Sequence, residues 1–284
     1  MVSTHRKHHR CYTGSMYLGI DVGGTKTLVA TLNRRGEISE SIKFPTPPKY
    51  SDFVVELTSN VAKLTTQEWL AGAIAAPGVM DRKKGTFLAG GNLKWHNSPL
   101  LKDVEKITKC PMLLENDAKL AGLSEALLLK KQYKKVLYIT ISTGIGTGLI
   151  VDGKIETNLA NMESGDIMVQ HGNKLVAWEK VASGKAVFEK YGKRAADIND
   201  QKTWHAIVKT WTAGFLDLIA ITQPEAIVIG GSVGSYVPKY HDLLVAELEK
   251  YATPVAPVPP ILQAQRPEEA VVYGCYELAR SVYA

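Results

Sequence analysis

Asp21-Val22-Gly23-Gly24-Thr25-Lys26-Thr27 and Thr140-Ile141-Ser142-Thr143-Gly144-Ile145-Gly146-Thr147-Gly148 decide how this chain folds. Each stretch is entered through an apolar run, breaks into glycines mixed with hydroxyl residues, and returns to apolar alternation. That pattern predicts a strand, a tight turn and a second strand. Glycines let backbone N–H groups converge with no Cβ in the way, and threonines add hydroxyl donors. Converging N–H groups make an anion cradle. Two such cradles, about half a chain apart, predict a cleft that grips phosphates from both sides.

Outward from the first stretch, Tyr17 to Asp21 reads as a strand and Thr27 to Asn33 as its hairpin partner. A third strand follows near Ile38 to Phe44, closed by Pro45, Pro47 and Pro48. Phe53, Val54, Leu57, Val61 and Leu64 have helical spacing. Trp69 to Ala75 is a continuous apolar run, as in a strand buried on both faces, and Ala76-Pro77-Gly78 ends it. Met112 to Glu115 is a short strand that feeds Asn116-Asp117 and a helix carrying Leu120, Leu123, Leu127 and Leu128.

The second half repeats that order. A strand–glycine turn–strand covers residues 135–151, with a third short strand near 154–157. A helix over about 202–222 aligns Trp204, Ile207, Val208, Trp211, Phe215 and Ile219, and Pro224 stops it. Ala226 to Ile229 is a buried strand ending in Gly230-Gly231. A helix at about 238–251, a proline-rich loop at 254–260 and a last helix at about 267–282 complete the chain. The order βββ-α-β-α-β-α thus occurs twice, which predicts two similar α/β lobes around a cleft.

The chain has 284 residues, enough for two lobes, and its 45% hydrophobic and 22% charged content is that of a globular protein. No apolar run approaches the ~20 residues that span a bilayer, and residues 1–15 lack the apolar core of a signal peptide. A cytoplasmic protein with no membrane partner is expected. Cys11, Cys110 and Cys275 are far apart and form no CxxC pair, so neither a disulfide framework nor a zinc knuckle is expected. The net charge is +6, of which Arg6, Lys7 and Arg10 supply half. No basic stripe interleaved with aromatics follows, which argues against a nucleic-acid partner. Residues 1–15 read as a tag or disordered extension, with Met16 just ahead of the first strand.

Five motifs now fall in order: Asp21-Val-Gly-Gly-Thr-Lys26, Ala76-Pro-Gly78, Glu115-Asn-Asp117, Ser142-Thr-Gly-Ile-Gly-Thr-Gly148 and Ile227-Val-Ile-Gly-Gly231. Their order and spacing resemble the ROK family of bacterial sugar kinases, repressors and open reading frames, over about residues 16–284. The resemblance implies an α/β fold: two ribonuclease-H-like lobes of the actin-like, hexokinase-type ATPase fold with an interlobe cleft. It implies an N-terminal lobe of residues 16–117 plus the final helix (about 267–284), and a C-terminal lobe of residues 118–266. Without a helix-turn-helix segment ahead of Met16, the kinase branch is expected rather than the repressor branch. Trp95, the Glu163 region and the missing cysteines also resemble the polyphosphate/ATP glucokinase branch.

By the same resemblance, Asp117 is the general base that takes the proton of a sugar hydroxyl, and Asn116 a sugar-hydroxyl ligand. Either residue could also simply cap the helix that starts there. Gly23, Gly24, Thr25 and Lys26 would contact the donor phosphates from one lobe, and Thr143, Gly144, Gly146 and Thr147 from the other. Asp21 would hold Mg²⁺ through water, and Gly230 and Gly231 would form the adenosine-side turn. Asn92 resembles a residue that touches the middle of the pyranose, though a turn role fits it as well.

In the sugar site the chain departs from its family. The family pattern Glu-x-Gly-His is followed by a cysteine-rich zinc loop and a later glutamate; here Glu163-Ser-Gly-Asp166 and Glu179 stand instead. Glu163 and Glu179 fit the sugar-hydroxyl ligands, Asp166 replaces the histidine, and no structural zinc is expected. His171 reads as a loop histidine. An ionised aspartate accepts hydrogen bonds but cannot donate one, so the contacts at the anomeric or 2-position change. The expected activity is transfer of a phosphoryl group from ATP, or from polyphosphate, to a hexose, with glucose 6-OH foremost. A non-catalytic sugar-binding protein is the other class the altered segment allows. A homodimer is expected from the habit of the family.

Overall fold

The computed structural model describes residues 15–90, 92–266 and 268–284. The expected N-terminal extension, Ser15 apart, lies outside the described residues. In the first half, β1 (Tyr17–Val22), β2 (Lys26–Leu32) and β3 (Ile38–Pro45) form a meander. After it come α1 (Tyr50–Val61), β4 (Ala71–Ala76), a hairpin of β5 (Val79–Asp81) and β6 (Thr86–Ala89), α2 (Leu100–Thr108), β7 (Met112–Asn116) and α3 (Asp117–Leu129). The second half runs through β8 (Lys135–Ile141), β9 (Ile145–Val151) and β10 (Lys154–Ile155). It continues through a hairpin of β11 (Met168–His171) and β12 (Lys174–Ala177), and helices α4 (Glu179–Ala182), α5 (Gly184–Tyr191) and α6 (Gln201–Thr222). β13 (Ala226–Gly230), α7 (Gly231–Gly234), α8 (His241–Glu249), β14 (Ile261–Gln263) and α9 (Ala270–Tyr283) close the chain.

The two main sheets have the same topology. The first is ordered β3-β2-β1-β4-β7 and the second β10-β9-β8-β13-β14. In each, the first three strands are antiparallel, and the two added strands run parallel to the first. The repeat read from the sequence is therefore a repeat of topology. Strand position explains composition. β4 is covered on both faces and buried at all six positions, which is why it reads Ala-Gly-Ala-Ile-Ala-Ala. β3, at an edge, alternates exposed with partly buried residues along most of its length.

Helix α6 packs Trp204, Ile207, Val208, Trp211, Phe215, Leu218 and Ile219 into the core of the second half. Asp200 caps its start, accepting from the Thr203 N–H at 2.8 Å. The residue that caps its end, Gln223, takes a left-handed conformation just before Pro224.

The last helix of each half crosses to the other sheet. Helix α3 follows β7 but packs on β8 and β9, and α9 follows β14 but packs on β1 and β4. The two helices meet each other between the sheets, in a core that includes Ala73, Leu120, Tyr138 and Cys275. Their crossing is so close that a Cβ at Gly274 would collide with the Leu120 carbonyl. Gly274→Ala should therefore cost about 1–3 kcal/mol as the helices are forced apart, visible as a lower midpoint in thermal or denaturant unfolding. The same crossing sets the first turn of α3 at the junction of the two halves.

Several elements differ from expectation. The β5–β6 and β11–β12 hairpins, α2 and β14 do not stand out in the sequence. β14 occupies three residues directly after Pro259-Pro260, so the proline-rich stretch ends in an edge strand. Trp95 is buried in an aromatic cluster with Tyr50, Phe53 and Phe87. His171 is exposed at the end of β11. Among the described residues, no helix is long and apolar enough to cross a membrane.

Candidate active site

A cleft of about 530 Å³ lies where the two halves face each other. The turn after β1 brings Gly23 and Gly24 to one wall, with Gly78, Gly90 and Asn92 beside them. The turn between β8 and β9 brings Ser142, Thr143, Gly144 and Gly146 to the opposite wall. Asn116 and Asp117 stand on the floor, and Glu163, Asp166 and Glu179 enclose one end. The two glycine turns read as phosphate cradles therefore share one cavity with the carboxylate read as the base.

Local chemistry explains how Asp117 is held. Asn116 ends β7 and caps α3; its Oδ1 accepts from the Lys119 N–H at 3.2 Å, and its Nδ2 donates to the Gly78 carbonyl at 3.1 Å. The residue that caps α3 thus also lines the cleft. Asp117 is the first residue of α3, and its Oδ1 accepts from the Ala118 N–H at 2.7 Å. Burial raises the Asp117 pKa above the ordinary carboxylate value, against the pull of that N–H and of the Lys119 ammonium.

Asp21 lies beneath the first glycine turn, off the cleft wall. Burial, and then the charge of Asp117, push its pKa from 3.8 up to about 7; Lys43 opposes the shift weakly. Desolvation likewise raises Glu163, helped by Asp117, Asp166 and Glu179 and opposed by Lys119. The site is rich in negative charge, and a desolvated carboxylate that makes no ion pair among the described residues, as Asp21 does, suits a hard divalent cation. Among the described residues no cluster of three or more His, Cys, Asp or Glu side chains could hold a metal alone. Asp21 could therefore contribute one ligand to an ion that takes the rest from phosphates and water.

Five expected contact residues do not line the wall in the way their motifs suggest. Thr25 and Lys26 are exposed at the tip of their turn, whose Gly23 N–H donates to the Lys26 carbonyl at 3.0 Å. Thr147 points inward; its hydroxyl is 2.7 Å from that of Ser164. Gly230 and Gly231 sit behind the wall. A Cβ on Gly230 would strike the Tyr138 hydroxyl, and one on Gly231 would stand 2.5 Å from Thr140 Oγ1. Packing, and at Gly231 a φ of 76°, favour glycine at both positions. On Gly24 the constraint belongs to the cleft itself, since a Cβ there would stand 2.6 Å from Asn92 Cβ.

Other residues on the cleft carry no motif. Lys180, Ser183, Lys185 and Glu189 line the end near α5. Lys119 is buried, and desolvation lowers its pKa against the attraction of Glu163, Glu115 and Asp117. A readable signal existed for it: Lys119 is the one charge in the run Ala118 to Leu123, on a helix the neighbouring apolar residues mark as buried.

Residues 17–282 match the ROK family. A Bacillus subtilis (strain 168) protein assigned as a fructokinase is 33% identical over 236 residues, covering 76% of each chain. The glucokinase of Streptomyces coelicolor is 25% identical over 308 residues, covering 93% of this chain and 97% of that one. The structure of a Streptomyces griseus ROK family glucokinase in complex with glucose and AMPPNP superposes with a TM-score of 0.77 at 26% identity, covering 94% and 99%. Duplicated sheets of one topology, a cleft between two glycine turns and a match over nearly the whole chain place this protein in the ROK family.

Proposed function

We propose that this protein is a sugar kinase that transfers the terminal phosphoryl group of ATP to a hexose hydroxyl, glucose 6-OH foremost. The carrying observation is that the Asp117 carboxylate faces the same cleft as the Gly23–Gly24 and Gly144–Gly146 turns. Names among the relatives support sugar as acceptor, and the AMPPNP in the Streptomyces griseus glucokinase supports a nucleoside triphosphate as donor.

Three groups would share the work. Gly23, Gly24, Thr143, Gly144 and Gly146 would hold the donor phosphates through backbone N–H groups and the Thr143 hydroxyl. Lys26 could reach them only from its exposed turn; Thr147 would hold the second turn in shape through Ser164. Gly230 and Gly231 would keep the donor-side wall closely packed. Asn92, Asn116, Glu163, Asp166 and Glu179 would orient the sugar. As the sugar oxygen bonds to phosphorus and the bond to ADP breaks, the hydroxyl proton passes to Asp117. Its raised pKa brings the base nearer the working pH, where proton acceptance is most efficient. Mg²⁺, with Asp21 as a ligand through water, would neutralise charge on the transferring phosphates. The reaction needs positioning and exclusion of water more than covalent chemistry, and a cleft between two lobes can close to supply both.

A coupled ADP assay with a panel of hexoses and amino sugars tests this reading. ADP release above background is expected only with sugar present, and glucose should rank among the substrates. Turnover with polyphosphate and none with ATP would replace the donor alone. No phosphosugar from any member of the panel with either donor would end the kinase reading and favour a protein that only binds sugar.

A further inference from the structure

Two cations from the first half of the chain hold the stretch that leads to Glu163. Residues 160–162 belong to no strand or helix, and side chains from elsewhere meet their polar groups. Lys119 Nζ donates to the Met162 carbonyl at 3.2 Å and to the Thr147 carbonyl at 3.3 Å. Arg82, on the β5–β6 hairpin, donates to the Ala160 carbonyl at 3.0 Å and to Asn161 Oδ1 at 2.7 Å. The same guanidinium grips both Glu115 oxygens, one from Nε at 2.7 Å. Glu115 Oε1 in turn accepts the Asn116 N–H at 2.7 Å. One network therefore runs from the strand end that carries Asn116 and Asp117 to the segment that carries Glu163.

We propose that Lys119 and Arg82 are positioning residues for the acceptor: Lys119 from α3 and Arg82 from the β5–β6 hairpin hold residues 160–162 and so fix Glu163 relative to Asp117. The proposal rests on the cleft being the phosphotransfer site argued above. Its physics is specific. A planar guanidinium can hold a carboxylate bidentately and still have N–H groups free for the loop, which a lysine at position 82 could not do. A buried ammonium is costly unless its donors are used. At Lys119 two donors go to the Thr147 and Met162 carbonyls, and the charge lies among Glu115, Asp117 and Glu163. Without it, two carbonyls lose a partner, and like charges in the cleft repel with nothing between them. The displaced element would be the acceptor segment, while Thr147, which also loses its Lys119 bond, keeps its strand pairing with Ile139 and its contact with Ser164.

Full-chain steady-state kinetics with Lys119→Met and Arg82→Gln tests this, using the hexose of highest turnover in the panel above. The sugar KM should rise about tenfold or more in Lys119→Met and about threefold or more in Arg82→Gln, with the ATP KM within about twofold in both. A purely structural role would raise both KM values together or change neither. If Lys119 acts through Glu163, Lys119→Met combined with Glu163→Gln should bind sugar about as well as Glu163→Gln alone, the sign of a shared pathway. Unchanged sugar KM in both single variants, matched rises in both KM values, or multiplying effects in the double variant would each overturn the proposal. If Lys119→Met does not fold, Arg82→Gln decides, because that side chain is partly exposed. Wild-type turnover is measured first: its absence defeats the phosphotransfer reading and this proposal with it, whereas normal turnover with unaltered variants defeats only the positioning role.

Discussion

Asp117→Asn should lower kcat by about 10²–10⁴-fold while the sugar Kd changes little. The amide keeps the size of the carboxyl and can still accept the Ala118 N–H, so α3 starts as before and Asn116 keeps its cap. What it loses is the capacity to take a proton. The acceptor hydroxyl would still dock against Asn116, Glu163 and Glu179, and the donor would still meet both glycine turns. Only the transition state, where the hydroxyl gives up its proton, would be starved. Calorimetric sugar titration together with turnover separates the two effects. Near-normal turnover would remove Asp117 as the base, and a large loss of sugar binding would make it mainly a ligand.

The second large effect belongs to Asp21→Asn, which should cost most of the activity and yet stabilise the apo-protein at high pH. Its sign follows from the direction of the shift. In the folded chain the Asp21 carboxyl keeps its proton up to about pH 7, against 3.8 ordinarily. The folded state therefore binds that proton more tightly than the unfolded state. The stability it contributes is fully present below the unfolded pKa, wanes as pH rises toward 7, and is lost above it. Asparagine imitates the neutral form at every pH. Thermal unfolding should show the variant equal to wild type near pH 4 and more stable at pH 8, by roughly 2–4 °C for each kcal/mol regained. Saturating Mg²⁺ with nucleotide should narrow the gap, since a cation beside Asp21 stabilises the ionised form in wild type only. Equal midpoints at pH 8 without ligand would show that Asp21 is not desolvated. A destabilised site carboxylate of this kind trades stability for function.

Much of this was legible in the sequence because burial and backbone geometry leave few choices. A six-residue strand covered on both faces must be nearly free of polar side chains, and Ala71–Ala76 is. The turns after β1 and β8 need glycine for close approach, so their motifs mark the cleft directly. Asn116-Asp117 was readable because a helix cap and a cleft-lining strand end occupy one junction. Less visible were elements whose existence depends on partners distant in the chain. β14 is three residues long and exists because β13 offers it an edge. The β5–β6 hairpin spans the charged run Asp81-Arg82-Lys83-Lys84, whose Arg82 finds its partners Ala160 and Asn161 far along the chain. Lys119 carried a signal, a lone charge on an apolar helix, but its partners at Thr147 and Met162 lie far along the chain. At the glycine pair 230–231 the motif also answers to close packing against Tyr138 and Thr140.

A crystal structure of this chain with a hexose, Mg²⁺ and a non-hydrolysable ATP analogue tests the central claim most directly. It should place one sugar hydroxyl about 2.6–3.2 Å from an Asp117 carboxylate oxygen, in line with a terminal phosphate held between the Gly23–Gly24 and Gly144–Gly146 turns. A sugar bound with every hydroxyl beyond reach of Asp117, or phosphates seated away from both turns, would contradict it.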